Sequence, residues 1–447
     1  MEQIVSLCKR RGFVYPGSEV YGGLSGTWDY GPLGIELKNN VKNIWWKMFV
    51  QEREDMYGVD AAILMNPKAW EASGHVAGFS DPLVECKKCK NKFRADQLTP
   101  VGMSYSPTIL LTNLLECPTC GKKDWAPIRQ FNMMFKTNVG ANEDSSSVTY
   151  LRPETAGGIF VNFKNVVDSF HPKLPFGIAQ IGKAFRNEIA PRDFIFRVRE
   201  LEQMEIEYFV RPAEWEKAFE LWRENVHAFN KAVGIPREAV HELEVPDGER
   251  AHYSKRTIDF EFDWPFGRKE LYGLAYRTDF DLLAHAKAAS TDLSYIEEGG
   301  ERLVPHVIEP SFGVDRTILA LLVSAYTEDE LGGEKRTYLK FNSAVAPVKA
   351  AVFPLLKNKP ELVAKAREVY ALLKDRSSKL GPIVWDDNGN IGKRYRRQDE
   401  IGTPYCITID FDTLGEKPEL KDTVTIRDRD TGEQERVSID SLAARIA

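Results

Sequence analysis

Between Ala184 and Phe209 the chain reads AFRNEIAPRDFIFRVRELEQMEIEYF, with arginine and glutamate recurring at alternate positions on either side of a charged loop. Alternation is the signature of a strand, whose successive side chains point to opposite faces. The spacing predicts a hairpin in which Arg186 and Glu188 share a face, and Arg197, Arg199, Leu201, Gln203 and Glu205 share one on the return strand. Alternating guanidinium and carboxylate groups build a poor core, because unpaired buried charge is costly. Such a face suits a ligand that carries both phosphates and an ammonium group; a solvated, salt-bridged hairpin is the alternative. A second chemistry lies in two CxxC pairs, Cys86 with Cys89 and Cys117 with Cys120. Each pair offers two thiolates from one tight turn, and four thiolates match a structural, tetrahedral Zn2+. Disulfides are the other reading, and a cytosolic chain seldom keeps them. Cys8 and Cys406 have no partner pattern and are expected as buried thiols.

The elements that must hold these groups can be sketched from length and periodicity. A chain of 447 residues is expected to form two or three domains. Its 43% hydrophobic and 28% charged residues describe a soluble globular protein. No apolar run approaches a membrane span, and the N-terminus lacks the basic-then-apolar pattern of a secretory signal, so a cytoplasmic location is expected. A net charge of −6 neither supports nor excludes an RNA partner, since phosphate contacts need only a local basic surface. Residues 35–55 read as a long helix with a stripe of Leu37, Val41, Ile44, Trp45, Met48 and Phe49, followed by a short strand, AAILM, that closes on Asn66 and Pro67. Trp45 and Trp46 cannot both face one narrow stripe, which favours a second buried surface against another subunit.

Downstream, residues 212–234 are helix-rich, and 236–268 form a mixed excursion that ends in the alternating strand TIDFEFDW. From Val307 to Tyr326 the pattern is a strand, a tight turn at Pro310 to Gly313, and an apolar helix with Arg316 in its first turn. The macrodipole disfavours a cation there, so a bound anion or a salt bridge to Asp315 is expected beside it. After the linker GGEKRTYLKFN, alternating β-like and helical runs predict a small α/β domain with a mainly parallel sheet. In it Lys393, Arg394, Arg396 and Arg397 surround Tyr395, a cluster suited to single-stranded loop recognition or else a solvated helix face.

The run FRNE, loop, RxRExEQxE resembles motif 2 of the class II aminoacyl-tRNA synthetases. Residues 35–67 resemble motif 1, which builds their dimer interface, and residues 307–326 resemble motif 3. The stretches NPKAWEASGHVAGFSDPLVECKKCKNKFRADQL, FNMMFKTNVG and LRPETAGGIF resemble the homodimeric glycyl-tRNA synthetases, and the likeness covers essentially the whole chain. It implies an α+β class II catalytic core, an antiparallel sheet with helices, over residues 1–85 and 148–340. It also implies a zinc-ribbon-like insertion over 86–147, a further insertion over 212–268, and a C-terminal α/β anticodon-binding domain over 344–447.

The same resemblance implies the site. Arg186 would hold the α-phosphate of ATP and Arg316 the γ-phosphate, with Glu188 beside the adenylate; these three would carry the chemistry. Asn187, Phe196, Arg197, Glu200, Leu201, Glu270, Leu271 and Gly313 complete the ATP side, Glu270 and Glu200 as ligands of Mg2+. The glycine side would comprise Arg94, Glu154, Leu201, Gln203, Glu205, Arg277, Glu309, Ser311 and Gly313. Glu154, Glu205 and Glu309 would converge on the ammonium group, Ser311 would close the space a methyl needs, and Arg277 would face the carboxylate. Two positions depart from the pattern: Leu201 stands where the family usually has an aromatic, and Gly157 where it has glutamine. The implied partners are glycine, ATP, tRNA(Gly) and a second copy of the chain. A synthetase of the same class for threonine, proline or serine is one alternative. A non-catalytic relative that binds nucleic acid is another, but it should have lost its phosphate arginines, and Arg186 and Arg316 are both present.

Overall fold

The computed structural model describes residues 1–98, 115–141, 144, 147–251 and 253–446. The acidic loop expected near 141–147 falls partly outside the described residues.

The catalytic sheet has seven strands: β1 (Met56–Gly58), β2 (Phe176–Phe185), β3 (Glu200–Val210), β4 (Val240–Glu244), β5 (Arg256–Trp264), β6 (Gly267–Thr278) and β7 (His306–Gly313). Their order across the sheet is β4-β5-β6-β7-β3-β2-β1. All pairings are antiparallel except β1 with β2. The period of two decides what each face does. On β3, Met204, Ile206 and Tyr208 join a large apolar core, whereas Gln203, Glu205 and Glu207 point to the other face and are also buried.

Three helices cover the apolar face: α1 (Pro32–Trp46), α2 (Trp215–Val233) and α3 (Val314–Ala325). They supply Leu37, Val41 and Trp45, then Phe219, Trp222, Val226 and Phe229, then Ile318 and Leu322, all essentially inaccessible to solvent. Each large apolar side chain so buried contributes roughly 1.5–3 kcal/mol, which makes this layer the rigid back of the site. The opposite face carries the helices Ala156–Phe170 and Phe280–Ala289, whose Ile159, Phe160, Phe163 and Leu282 pack on Phe176, Ile178, Phe209 and Val307.

Several sequence expectations are corrected here. The long helix ends as α1 at Trp46 and continues as one π-type turn, Lys47–Gln51. AAILM is not a strand: the strand that follows the helix is β1, and Leu64 makes a single bridge to Leu151. Trp45 is in the core, and the Trp46 ring lies against Gly58, so both tryptophans find partners within the chain. Residues 212–268 are no appendage to the sheet, since β4 and β5 form its edge and α2 packs against it. β7 runs through Pro310 to Gly313 and straight into α3 without a tight turn.

The supposed linker is half of a hairpin, Tyr326–Leu331 with Glu334–Leu339. Its Arg336 is buried and ion-pairs with Asp329 at 2.6 Å and with Asp399 of the C-terminal domain at 3.1 Å, so the two domains are clamped by a charged joint. The C-terminal sheet has five strands with two parallel and two antiparallel pairings, rather than a mainly parallel arrangement.

Candidate active site

The site lies on the polar face of β3, β6 and β7. Register places Gln203 opposite Gly313 and Glu205 opposite Ser311, and on the other side of β7 places Gly273 opposite Ser311 and Ala275 opposite Glu309. Directly opposed residues share a face. Leu201, Gln203 and Glu205 therefore line up beside a floor of small residues, Gly313, Ser311, Gly273 and Ala275. An added Cβ at Gly273 would meet no atom within 4 Å, so this floor opens onto empty space.

One end of the cleft is lined by Arg186, Glu188, Phe196, Arg197, Leu201, Gln203, Glu270, Leu271, Ser311, Gly313 and Arg316, eleven of the residues expected from the sequence. Arg186 follows β2 immediately. It donates from Nε to Pro153 O (3.0 Å) and lies over the Phe79 ring, but no carboxylate pairs with it among the described residues. Arg197 likewise has no ion pair among the described residues, and burial lowers its pKa. Arg316 stacks over Phe196, its guanidinium carbon 4.6 Å from the ring centroid, and pairs with Glu270 at 3.0 Å. Asp315 is not its partner: that carboxylate accepts from Tyr30 Oη (2.5 Å) and the Glu202 amide (2.8 Å), with Lys38 nearby. Glu270 faces Glu261 across the strand pair, and Asp259 lies near. Burial, then Glu270 and Glu261, push the Asp259 carboxyl up to about 7. They are hard oxygen donors of the kind Mg2+ takes, although among the described residues only the four cysteines converge into a preformed metal cluster.

The hairpin departs from its sequence reading in its loop. β3 begins only at Glu200, and Asp193 and Phe194 both have positive φ, so Arg197 and Arg199 belong to the connection and do not share a strand face. Arg199 turns away and donates to Glu188 O and Ser25 O, bracing the loop. Asn187 holds Met133 O through its backbone amide. Glu200 is on the opposite face from Leu201 and pairs with Lys183 at 2.8 Å, which removes it as a metal ligand beside Glu270.

The other end of the cleft is a buried cage of ions. Glu205 is 2% exposed and fully engaged: Oε2 accepts from the Thr155 amide and hydroxyl, and Oε1 accepts from Ser311 Oγ (2.8 Å) and Gln203 Nε2 (3.3 Å). Burial, followed by Glu154, raises its pKa. Arg277 is the extra residue of a β-bulge between Tyr276 and Thr278, the kind of irregularity that re-aims a side chain. Its guanidinium makes a bidentate pair with Asp281 (2.8 Å each) and a third bond to Glu309 Oε1 (2.7 Å). Burial pushes the Glu309 carboxyl up to about 8; Arg277 opposes this, and Glu205, Glu154 and Asp281 add to it. Burial also raises Glu154, but His75, Arg277 and Arg186 outweigh it and hold that carboxyl down at about 2.

Some of these residues carried little signal in the sequence. Asp281 is four positions after Arg277, a spacing that would have suggested a pair had the segment been read as a helix start. Glu207 is readable in MEIEYF as a charge on a buried strand, and His75 only as one histidine in SGH. Both belong to the cage by position.

Two further positions singled out in the sequence are engaged in contacts of their own. Arg94 pairs with Asp81 and Asp96 (2.7 Å each), so its charge is compensated within the small sheet of the cysteine module, in electrostatic reach of Glu188 and Arg197 of the cleft. Gly157 has the Trp70 ring 2.8 Å from where a Cβ would stand, which makes it a packing position and not part of the pocket.

In the cysteine module the four Sγ atoms lie within 4.8 Å of one another, with cross-pair distances of 3.6 and 3.7 Å. A disulfide needs about 2.05 Å, whereas four sulfurs at about 2.3 Å from one zinc stand near 3.8 Å apart. The two knuckles repeat one backbone pattern. Lys90 and Gly121, both left-handed, donate to Cys86 O and Cys117 O. The cluster is compatible with zinc.

In the C-terminal domain the basic cluster mostly dissolves into structure. Arg394 is 1% exposed and binds the carbonyls of Pro354, Asp387 and Gly389. Tyr395 bonds to Thr408, Arg396 to Glu334 and Arg397 to Asp386. Lys393 is exposed.

Comparison with known proteins agrees with this geometry. The family described as tRNA synthetase class II core domain (G, H, P, S and T) matches residues 135–325, and the anticodon binding domain family matches residues 349–447. The chain is 51% identical to a glycine–tRNA ligase of Bacillus cereus over 99% of its own length and 97% of the relative's. It is 51% identical to that of Caldanaerobacter subterraneus and 52% identical to that of Clostridium kluyveri, in both cases over 99% of this chain and 96% of the relative. With a class II core, an anticodon-binding domain and full-length relatives of this similarity, the chain belongs to the glycine–tRNA ligase family of class II aminoacyl-tRNA synthetases.

Proposed function

We infer that the protein activates glycine with ATP and transfers it to tRNA(Gly). The observation that carries this reading is the juxtaposition, in one cleft, of two uncompensated arginines from the β2–β3 connection with a cage of carboxylates beside a glycine-and-serine floor. A carboxylate oxygen of glycine attacks the α-phosphorus of ATP, one O–P bond forms, the bond to the bridging oxygen breaks, and pyrophosphate leaves. The step needs positioning and charge stabilisation rather than a general base. Arg186 and Arg197 offset the charge on the α-phosphate region, Arg316 takes the far end of the triphosphate, and Phe196 with Leu201 gives the base an apolar wall. Glu270, with Asp259 and Glu261, would hold Mg2+, which supplies further charge neutralisation when bound.

Glycine has no side chain to grip, so selection works by exclusion. Glu154, Glu205 and Glu309 attract the ammonium group, and Ser311, pinned to Glu205, closes the wall. One methyl forced against such a wall costs about 1–3 kcal/mol. The cysteine cluster would be occupied by structural Zn2+, the working form would be a homodimer located in the cytoplasm, and the C-terminal domain would read the anticodon with Lys393 as one contact. Arg94 remains a brace within this reading. The test is ATP–pyrophosphate exchange with purified protein across the twenty amino acids. Exchange with glycine and with no bulkier amino acid is expected; exchange with serine, threonine or proline but not glycine overturns the reading.

A further inference from the structure

His75 is 9% exposed and lies at the back of the glycine side, in none of the roles described above. Its ring is fixed from two directions, edge-on to Trp70 (centroids 5.4 Å apart) and tilted against Phe79 (5.3 Å). Both ring nitrogens have partners. Nδ1 is 2.8 Å from Ser73 Oγ, and Nε2 is 3.3 Å from Glu154 Oε2. The Ser73 hydroxyl has one proton and two possible acceptors, His75 Nδ1 at 2.8 Å and Trp70 O at 3.4 Å. The shorter contact assigns the proton to the bond with Nδ1, which leaves Nε2 as the protonated nitrogen, directed at the Glu154 carboxylate.

We propose that His75 is a positioning residue for amino-acid recognition: Ser73 sets its tautomer, and its Nε2–H aims the Glu154 carboxylate at the ammonium group of glycine. The proposal rests on the reading that Glu154 faces that ammonium. A single N–H suits the task. It fixes one carboxylate oxygen in place and leaves the remaining acceptor positions of the carboxylate open to the substrate. The neighbouring residue, Thr155, holds Glu205 through its amide and hydroxyl, so residues 154 and 155 set two walls of the cage at once. The anchor of the histidine is also shared. Asn132, at the end of the strand Arg129–Asn132 of the cysteine module, donates to Val76 O at 2.9 Å, and Phe79 lies under Arg186. The His75–Phe79 segment thereby ties the glycine cage to both the cysteine module and the ATP arginine.

The experiment is pyrophosphate exchange with the full chain, varying glycine and ATP separately. His75→Phe keeps a ring between Trp70 and Phe79 but removes the donor. It is expected to raise KM for glycine at least tenfold while kcat and KM for ATP stay within twofold. His75→Gln carries an amide N–H to the place of Nε2 and should restore KM to within threefold of the parent. Ser73→Ala, which frees the tautomer, should raise it two- to fivefold. An unchanged KM for glycine in His75→Phe, a loss in His75→Gln equal to that in His75→Phe, or a parallel rise in KM for ATP overturns the proposal. If His75→Phe does not fold, Ser73→Ala decides, and a parental KM for glycine refutes the role. Glu154→Gln separates the two levels of the argument. If it leaves KM for glycine unchanged, the reading of Glu154 itself fails; if it raises KM while His75→Phe does not, the positioning role alone fails.

Discussion

The two ends of the cleft are built from the same residue types and in opposite states of compensation. On the ATP side Arg186 and Arg197 have no carboxylate partner among the described residues. On the glycine side Arg277 is 1% exposed and saturated by Asp281 and Glu309. The difference follows from the charge each end receives. A triphosphate brings its own negative charge and needs cations left open for it. A zwitterion brings none in net, so the cage must be nearly balanced before the substrate arrives and can offer only a local excess of carboxylate at the ammonium. The cost of assembling that cage falls on folding, and the cost of open arginines is met by the ligand.

Replacing Arg277 is the strongest way to test this contrast. Arg277→Ala would leave Asp281 and Glu309 buried without a counter-charge, and breaking a buried pair from one side costs about 3–5 kcal/mol. The expected result is a large drop in the denaturant midpoint together with loss of exchange activity. Arg186→Gln should behave in the reverse manner. Its stability should stay within about 0.5 kcal/mol of the parent, while exchange falls on the order of a hundredfold or more, the scale of a lost transition-state donor. If Arg186→Gln unfolds the protein or Arg277→Ala leaves stability untouched, the contrast between the two ends is wrong.

Titration sharpens the same comparison. Glu309 faces Glu154, Glu205, Glu207 and Asp281, with Arg277 as the cation and His75 and His285 close by. Its folded-state pKa of about 8 lies above the ordinary carboxyl value of 4.5. Between those values the folded state holds a proton that the unfolded state has lost, so stability falls as pH rises from about 4.5 to about 8. Binding an ammonium favours the ionised form. KM for glycine should therefore decrease as pH rises towards 8 and level off above it, with a proton released on binding at pH 7. Glu309→Gln should flatten the KM profile and abolish the release; calorimetry of glycine binding in buffers of different ionisation enthalpy measures the latter.

How far the sequence could anticipate this site depended on whether the needed information was local. Arg186, Arg197, Gln203, Glu205, Ser311 and Gly313 come from segments whose order and spacing are readable, and strand alternation alone puts Leu201, Gln203 and Glu205 on one face. The same rule, applied one residue further back, excludes Glu200, which the resemblance had carried over. Arg199 was misread because the loop has positive-φ residues at Asp193 and Phe194, and alternation does not survive them. Arg394 of the basic helix was misread for another reason. Arg394 looks like a surface cation in sequence, yet its fork matches three carbonyls that only the folded domain brings together. β4 and β5 were read as an excursion because their hairpins pair locally, and only the distant pairing of β6 with β7 carries them into the catalytic sheet. The bulge at Arg277 was equally invisible, and it is what turns that arginine into the cage.

The smallest effect is expected at Glu207, where the comparison is tested from its least obvious member. Glu207 is fully buried, and neither carboxyl oxygen has a partner among the described residues. It lies where the β3–β7 ladder is interrupted between the Glu205–Ser311 and Tyr208–Ile308 pairs, opposite the segment that contains Pro310, which has no amide to donate. Burial first, and then Glu309, hold its pKa well above the usual carboxylate range. An ionised carboxylate so placed would cost far more than a neutral one, so Glu207 enters the fold protonated and the cage stays near balance. Glu207→Gln replaces one neutral group by another of the same shape. Near pH 4, where Glu207 is largely protonated in both the folded and the unfolded chain, its unfolding free energy should lie within about 1 kcal/mol of the parent, and at pH 7 KM for glycine should be unchanged within about twofold. The two proteins should separate progressively as pH rises above about 4.5, where the unfolded parent loses a proton that its folded state keeps. The sign is fixed by linkage: a carboxyl raised in the folded state makes stability fall with rising pH, and the Gln variant lacks that fall. Urea midpoints measured from pH 4 to pH 9 give the answer. A variant that instead loses stability relative to the parent as pH rises would mean that Glu207 is ionised and bonded, and that the glycine side carries more net negative charge than a balanced cage allows.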